Sequence, residues 1–349
     1  NLAKRKRGES EMKAIRCDNP GVLTLIEQEK PVLQEGHAMV RVKRIGICGT
    51  DLHAYRGRQP YFTYPRILGH ELSGVIEEIV EEESGLRIGD KVCIIPYLHC
   101  GKCQPCRRGK TNCCENIQVM GVHTDGGMRE WISVPVSHLI QANGLSFEGA
   151  AIVECLSIGA HAVRRANPGQ QDKVLVIGAG PIGLGVMLTA VRTGARVAAM
   201  DMVEHRLDFC RRWAGVESVL TGDGDIQAKL RHLFDGELPD IIFDATGNKA
   251  SMERAFQYAS HGGTIVYVGL VREDIAFHDP LYHAKELTLH ASRNAMREDF
   301  EFVMKMIEDG GVDADAFVTH RAAFECVVDE FESWLNPSSN VIKAMAVID

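Results

Sequence analysis

Gly178-Ala179-Gly180-Pro181-Ile182-Gly183 follows a compact β-branched run, Lys173–Ile177, and opens a helical stretch, Pro181–Thr193. In that setting Gly178 permits the tight turn and Gly180 lets the backbone approach a pyrophosphate. Gly183 lets the helix pack closely on the strand, and the helix start at Pro181 and Ile182 favours phosphate charge. A second strand, Arg196–Met200, ends at Asp201, where a ribose-binding acid belongs. A carboxylate accepts hydrogen bonds from both ribose hydroxyls and repels a 2′-phosphate, so NAD is expected rather than NADP. Arg206 lies nearby, placed to stack on adenine or to pair with a phosphate. Phe243–Gly247, with Ala245 and Thr246, and Val268–Leu270 end two further strands on the edge where open α/β sheets bind ligands. Ala245, Thr246, Val268 and Leu270 are therefore expected cofactor contacts.

A chain of 349 residues suits two domains or one large barrel. Up to about Ile140, short strands such as Met12–Cys17, Val22–Ile26 and Met39–Ile47 alternate with Gly/Pro turns and predict a β-rich, partly open barrel. After Ser146 strands alternate with helices: Ser218–Leu220, Ile241–Ala245, Gly263–Val268 and Glu286–Ala291 continue the series. That alternation predicts an α/β domain with a doubly wound parallel sheet. The tail, with a helix near Asp299–Asp309 and a strand near Val341–Val347, has no core of its own and is expected to return to the first domain. The expected domains are residues 1–145, 146–291 and a returning 292–349. The opening Asn1–Ser10, with Lys4-Arg5-Lys6-Arg7, reads as a leader outside the fold, and Met12 as the natural start of the folded part.

The composition is 45% apolar and 25% charged, which excludes wholesale disorder. A net charge of −8 argues against a general nucleic-acid or membrane-surface binder. No apolar run has the length of a membrane span and no secretory signal is apparent, so a cytoplasmic protein is expected.

Eleven cysteines are many for such a chain. A secreted disulfide scaffold would be far shorter, which leaves cytosolic thiols and metal ligands. Cys100, Cys103 and Cys106 at three-residue spacing, followed by Cys113 and Cys114, offer four thiolates for a closed tetrahedral zinc site in a lobe of about residues 96–116. An iron–sulfur motif would bring its fourth cysteine sooner and follow it with proline, whereas Glu115 stands here. Spacing alone does not choose between Cys113 and Cys114.

Cys48-Gly49-Thr50-Asp51-Leu52-His53 and Gly69-His70-Glu71 add further candidate ligands. Singly, each is an ordinary structural residue. Together with the cysteine lobe and the dinucleotide motif, in this order, they resemble the zinc-dependent medium-chain alcohol and polyol dehydrogenases over nearly the whole chain from Met12. The segments Gly46–Gln59, Tyr64–Glu71, Asn112–Gly127 and Ser292–Ala295 are most similar to bacterial L-galactonate and L-gulonate dehydrogenases, which oxidise the hydroxyl at carbon five. The resemblance implies a GroES-like catalytic domain around a Rossmann NAD-binding domain, with two zinc ions per chain. Cys48 and His70 would hold the catalytic zinc. Glu71 is either a ligand or a neighbour that exchanges with water, and Glu154 matches the acid of the family's Glu-Pro motif. Cys155 departs from the common proline and leaves the third ligand open among Glu154, Glu71 and Cys155. Cys114, with Cys100, Cys103 and Cys106, matches the structural-zinc lobe. Relatives form homodimers or homotetramers, often through the edge strand near Glu286–Ala291.

Three protein ligands leave a coordination position for a substrate hydroxyl, whose proton must then leave a water-poor site. Thr50 and His53 match the family's hydroxyl-to-imidazole relay. For a sugar-acid carboxylate a bidentate arginine is the natural partner. Arg293 leads, ahead of Arg56 and Arg58, and His123 with Thr124 is placed to line the pocket. The expected reaction is oxidation of a secondary alcohol of L-galactonate or L-gulonate at C5. The alternatives are a neutral polyol such as sorbitol, L-threonine, or a non-catalytic nucleotide-binding regulator.

Overall fold

The structure is a computed structural model that describes residues 11–59, 61–80 and 84–349. The basic run Lys4–Arg7 falls outside the described residues. The chain divides into two units, one ending at Glu154 and resuming at Met304, the other spanning Cys155–Val303.

The first unit contains β1 (Glu11–Asn19), β2 (Val22–Glu29), β3 (His37–Ile47), β4 (Arg66–Ile67), β5 (Glu71–Ile79), β6 (Lys91–Ile94), β7 (Tyr97–Leu98), β8 (Gln118–Val119), β9 (Trp131–Pro135) and β10 (Leu139–Gln141). The second holds β11 (Lys173–Ile177), β12 (Arg196–Asp201), β13 (Ser218–Thr221), β14 (Ile241–Asp244), β15 (Thr264–Tyr267) and β16 (Thr288–Ala291). The tail returns β17 (Val318–Ala323) and β18 (Lys343–Val347) to the first unit.

In the first unit the large sheet runs β10-β6-β5-β3-β18-β17, with β9 also on β3, and a small sheet runs β2-β1-β4. Strand β3 has neighbours on both edges, so its Gly46 faces Glu71 of β5 on one side and Met345 of β18 on the other. Val40, Val42, Ile45, Ile76, Ile94 and Ile132 are buried together with Phe324 and Phe331 from the tail. Each such side chain contributes about 1.5–3 kcal/mol of burial, so the tail shares the core of the first unit.

The second unit is a six-stranded parallel sheet in the order β13-β12-β11-β14-β15-β16. The chain winds outward from β11 to β13 and returns on the other side of β11 to β14. A ligand crevice is expected at that reversal. No helix of the described residues is long and apolar enough to cross a membrane.

The boundaries differ from those expected at residues 145 and 291. The helix Phe147–Ala151 stays with the barrel: Ser73 Oγ donates to Phe147 O at 2.7 Å, and Arg44 of β3 pairs with Glu148 at 2.6 Å. Residues 292–303 stay with the nucleotide unit because the buried Asp299 carboxylate accepts from His161 Nδ1 and Arg164 Nε, both at 2.9 Å. Strand β16 also starts later than Glu286. Lys285 turns its ammonium onto the carbonyls of Phe256, Gln257 and Ala259, capping the helix Lys249–Tyr258, and Glu286 takes a left-handed φ of 49°.

The glycine turn has the least slack. A Cβ on Gly183 would lie 1.8 Å from Gly178 O. Gly183→Ala is therefore expected to cost about 1–3 kcal/mol through overpacking, read as a lower urea midpoint for the second unit. An unchanged midpoint would show that the turn relaxes freely.

Candidate metal and nucleotide sites

Cys48, His70 and Glu71 bring one sulfur, one imidazole nitrogen and one carboxylate oxygen within 4.8 Å of one another. Cys48 caps the helix Gly49–Tyr55, where its backbone N–H donates to Asp51 Oδ2 at 2.9 Å. Gly69, at φ +93°, turns the chain into His70. Gly126 lies so close that a Cβ there would meet Gly69 O at 2.3 Å, so only glycine lets this loop lie against the His70 segment.

Asp51 is buried, accepts from Gly69 N at 3.2 Å and stands 3.8 Å from His70 Nδ1. Burial alone would disfavour the imidazolium, yet Asp51, assisted by Cys48, raises the His70 pKa well above 6.5. Burial raises Asp51 in turn, and His70 offsets part of that rise. An acid behind a metal-binding imidazole sets its orientation and basicity. Asp51 was missed as a site residue, although its place three residues after Cys48 is the capping-box signal.

The two glutamates differ. Both oxygens of Glu71 accept from the buried Lys343 ammonium, at 2.6 and 2.8 Å. Glu154 Oε1 accepts from the Tyr97 hydroxyl, while Oε2 is buried with no hydrogen-bond partner, as is His70 Nδ1. Burial, reinforced by the Glu71 charge, pushes the Glu154 carboxyl up to about 7. His70 Nδ1 faces Asp51, whereas the orphaned Glu154 Oε2 fits a cation that would satisfy it. Lys343 and Tyr97 carry no local signal, since one lies on the last strand and the other in a two-residue strand. Thr50 is half-buried and His53 exposed on the helix that Cys48 caps.

Cys100, Cys103, Cys106 and Cys114 form the second cluster. The Sγ–Sγ distances are 3.3 Å for Cys103–Cys106, 3.5 Å for Cys114–Cys100 and 3.8 Å for Cys103–Cys114. Four thiolates about 2.3 Å from a tetrahedral zinc stand roughly 3.8 Å apart, so the set fits that ion with little movement. Backbone N–H groups of Lys102 and Cys103 lower the Cys100 thiol to about 6. Cys114 is buried in the cluster and Cys113 exposed, which separates the two candidates that spacing left open.

In the second unit a cavity of about 420 Å³ is lined by residues that include Gly178, Asp201, Thr246, Ser251 and Arg254. Asp201 is fixed by two backbone N–H groups, Ala179 to Oδ2 at 2.7 Å and Val203 to Oδ1 at 2.9 Å. Gly180 caps the helix Pro181–Val191, and a Cβ built on it meets nothing, leaving open space at that helix start. Ile182 lies in the first turn of that helix, while Ala245 and Val268 are half-buried and Leu270 is exposed beyond their strand ends. Arg206 is not on the cavity wall; the cation there is Arg254, on the helix after β14.

Residues 34–144 match the family of the alcohol dehydrogenase GroES-like domain, and residues 181–309 match that of the zinc-binding dehydrogenases. The chain is 40% identical over 336 residues to the L-galactonate-5-dehydrogenase of Escherichia coli K12, covering 96% of this chain and 99% of that protein. It is 32% identical over 289 residues to the 2-dehydro-3-deoxy-L-galactonate 5-dehydrogenase of Pseudoalteromonas atlantica, covering 82% and 84%. The crystal structure of an alcohol dehydrogenase (rspB) from E. coli CFT073, complexed with NADH, superposes with a TM-score of 0.90 at 30% identity, over 97% of this chain and 100% of that one. The chain belongs to the zinc-binding alcohol dehydrogenase family.

The substrate candidates of this dehydrogenase fall in both units. Arg293 is exposed just past β16 in the second, beside Asn294 at a left-handed φ of 54°. His123 is in the first, where its Nδ1 accepts from Val119 N at 3.1 Å and its ring stacks on exposed Tyr61 at 6.1 Å. Arg56 donates to Leu335 O and Arg58 is exposed.

Two outcomes follow for the metal clusters. Cys114→Ser is expected to remove one zinc per chain by elemental analysis and Cys113→Ser none; the reverse pattern would exchange the two assignments. Lys343→Met leaves the Glu71 carboxylate buried without its partner and should cost about 3–5 kcal/mol of stability in the zinc-depleted protein. A loss below the noise of a denaturant titration would mean that the Lys343–Glu71 pair does not hold the barrel together.

Proposed function

We propose that this dehydrogenase oxidises the C5 hydroxyl of a sugar acid, L-galactonate or L-gulonate, to the keto acid and transfers hydride to NAD. The observation that carries the reading is the grouping of Cys48, His70 and Glu71 with the buried, unpartnered Glu154 Oε2, in a chain that also has an Asp201-bounded nucleotide cavity. The 40% identity to an L-galactonate-5-dehydrogenase supports the substrate class.

Cys48 and His70 would hold the catalytic zinc with Glu154, whose Oε2 is free, while Lys343 keeps Glu71 behind them. A zinc held there supplies Lewis acidity, which lowers the pKa of a hydroxyl, and NAD is the hydride acceptor. Asp51 orients the His70 ring. Thr50 Oγ1 would accept the substrate proton while passing its own hydroxyl proton toward His53, which would release a proton to solvent. Asp201 takes the ribose hydroxyls, and the open helix start at Gly180 takes the pyrophosphate. Arg293 binds the substrate carboxylate, with His123 lining the pocket. Cys100, Cys103, Cys106 and Cys114 would bind a second, structural zinc. Eleven free thiols suit a reducing cytoplasm, and the edge strand β16 suits pairing into a homodimer or homotetramer.

The test is a substrate panel with NAD: aldonates, sorbitol and L-threonine. Activity is expected on L-galactonate or L-gulonate, and Arg293→Ala should raise KM for that aldonate about tenfold or more, since a charge-assisted contact is worth roughly 1.5–3 kcal/mol. Activity on sorbitol or threonine with none on aldonates would sink the sugar-acid reading. No turnover of any alcohol by the zinc-loaded protein would favour a nucleotide-binding regulator.

A further inference from the structure

The cavity of the second unit contains two charged residues, Asp201 and Arg254. Asp201 is immobilised by its backbone N–H donors and presents its remaining lone pairs to the cavity. Arg254 comes from the helix Lys249–Tyr258, which lines the cavity along one face through Ser251, Arg254 and Tyr258.

Each neighbour of Arg254 on that face is already engaged. Ser251 Oγ donates to buried Asp244 at 2.6 Å, and Tyr258 is buried. Glu253 pairs with Lys249 at 3.7 Å and accepts from Ala276 N at 2.9 Å. Arg254 Nε donates to Ala250 O at 3.0 Å, which fixes the stem of the side chain against its own helix. That contact uses one of five guanidinium donors, and the remaining planar fork is held on the wall of a cavity whose other surfaces include the apolar Ile177, Met200 and Met202. Met202 is 71% exposed, an apolar surface that a flat ring would cover.

A cavity with a ribose-binding carboxylate, an apolar side and a planar cation suits a purine better than a second phosphate, which Asp201 would repel. We propose that Arg254 is a specificity-determining residue of the nucleotide site, lying against the adenine ring while Asp201 takes the ribose. The proposal rests on the reading of this cavity as the NAD site. It assigns the base contact to the helix after β14 rather than to Arg206, and it predicts affinity that depends on the base and not on the phosphates.

The experiment measures dissociation constants by displacement of NADH fluorescence from the zinc-loaded full chain. The competitors are AMP, nicotinamide mononucleotide (which has ribose and phosphate without adenine) and adenosine 2′,5′-bisphosphate. Arg254→Ala is expected to weaken AMP about tenfold, the range of a partly desolvated cation–π contact, and to leave nicotinamide mononucleotide within about twofold. Arg254→Lys should recover part of the AMP affinity. Unchanged AMP binding in the alanine variant would overturn the proposal. A loss confined to the bisphosphate would overturn it too, by making Arg254 a 2′-phosphate reader. An equal loss for AMP and nicotinamide mononucleotide would assign it to the 5′-phosphate instead. If the unsubstituted chain binds neither NADH nor AMP, the nucleotide reading itself fails. Melting temperatures of the variants control for folding, and the exposure of Arg254 makes a change there unexpected.

Discussion

The first unit of this molecule depends on one buried ion pair. Glu71 and Lys343 lie 272 positions apart in the chain and are both almost fully buried, on strands that flank β3 from opposite sides. They meet only because the residue of β3 between them is Gly46; a Cβ there would stand 2.1 Å from Glu71 Oε2. A buried pair of this kind adds little net stability over an apolar one, but removing either partner is costly. The barrel therefore requires its C-terminal strand. That gives a physical reason for a chain that leaves the first unit at Glu154 and comes back to it at Met304.

The same pair settles the charge of the metal cluster. Asp51, Glu71 and Glu154 are buried around Cys48 and His70, and Lys343 neutralises Glu71. Asp51 is shared between His70 and two backbone donors. Glu154 keeps an oxygen without a hydrogen-bond partner, and burial raises the pKa of its carboxyl. A divalent ion answers the surplus of acceptors, so the cluster is electrostatically incomplete on its own terms.

The parts legible in the sequence are those whose geometry is local. The glycine turn and the three evenly spaced cysteines lie within a few residues of their partners, and the acid ending β12 is a single βαβ crossover from the turn, so spacing reports on shape. The missed residues act across strands: Tyr97 on Glu154, Lys343 on Glu71 and Arg254 on the nucleotide cavity. Nothing near them in the chain marks them out. Cys113 and Cys114 show the limit of spacing, since adjacent positions differ by burial and not by distance along the chain. The domain boundaries fail for a related reason. Hydrogen bonds from Ser73 to Phe147 and from His161 to Asp299, each between distant segments, decide which unit a linking stretch joins.

The short helix after Cys48 carries the residues to which the proposed function assigns metal binding and proton release. Cys48 at its start is nearly buried, Thr50 is half-buried and His53 is exposed. Asp51 lies between Thr50 and His53 in the chain, yet it faces inward to Cys48 and Gly69, because successive helical positions point about 100° apart. One short helix thus presents a buried carboxylate to His70 and, in the proposed mechanism, the Thr50 and His53 relay. An insertion within Gly49–Tyr55 would rotate these groups relative to Cys48 and break both functions together, whereas an insertion after Gly57 would spare both.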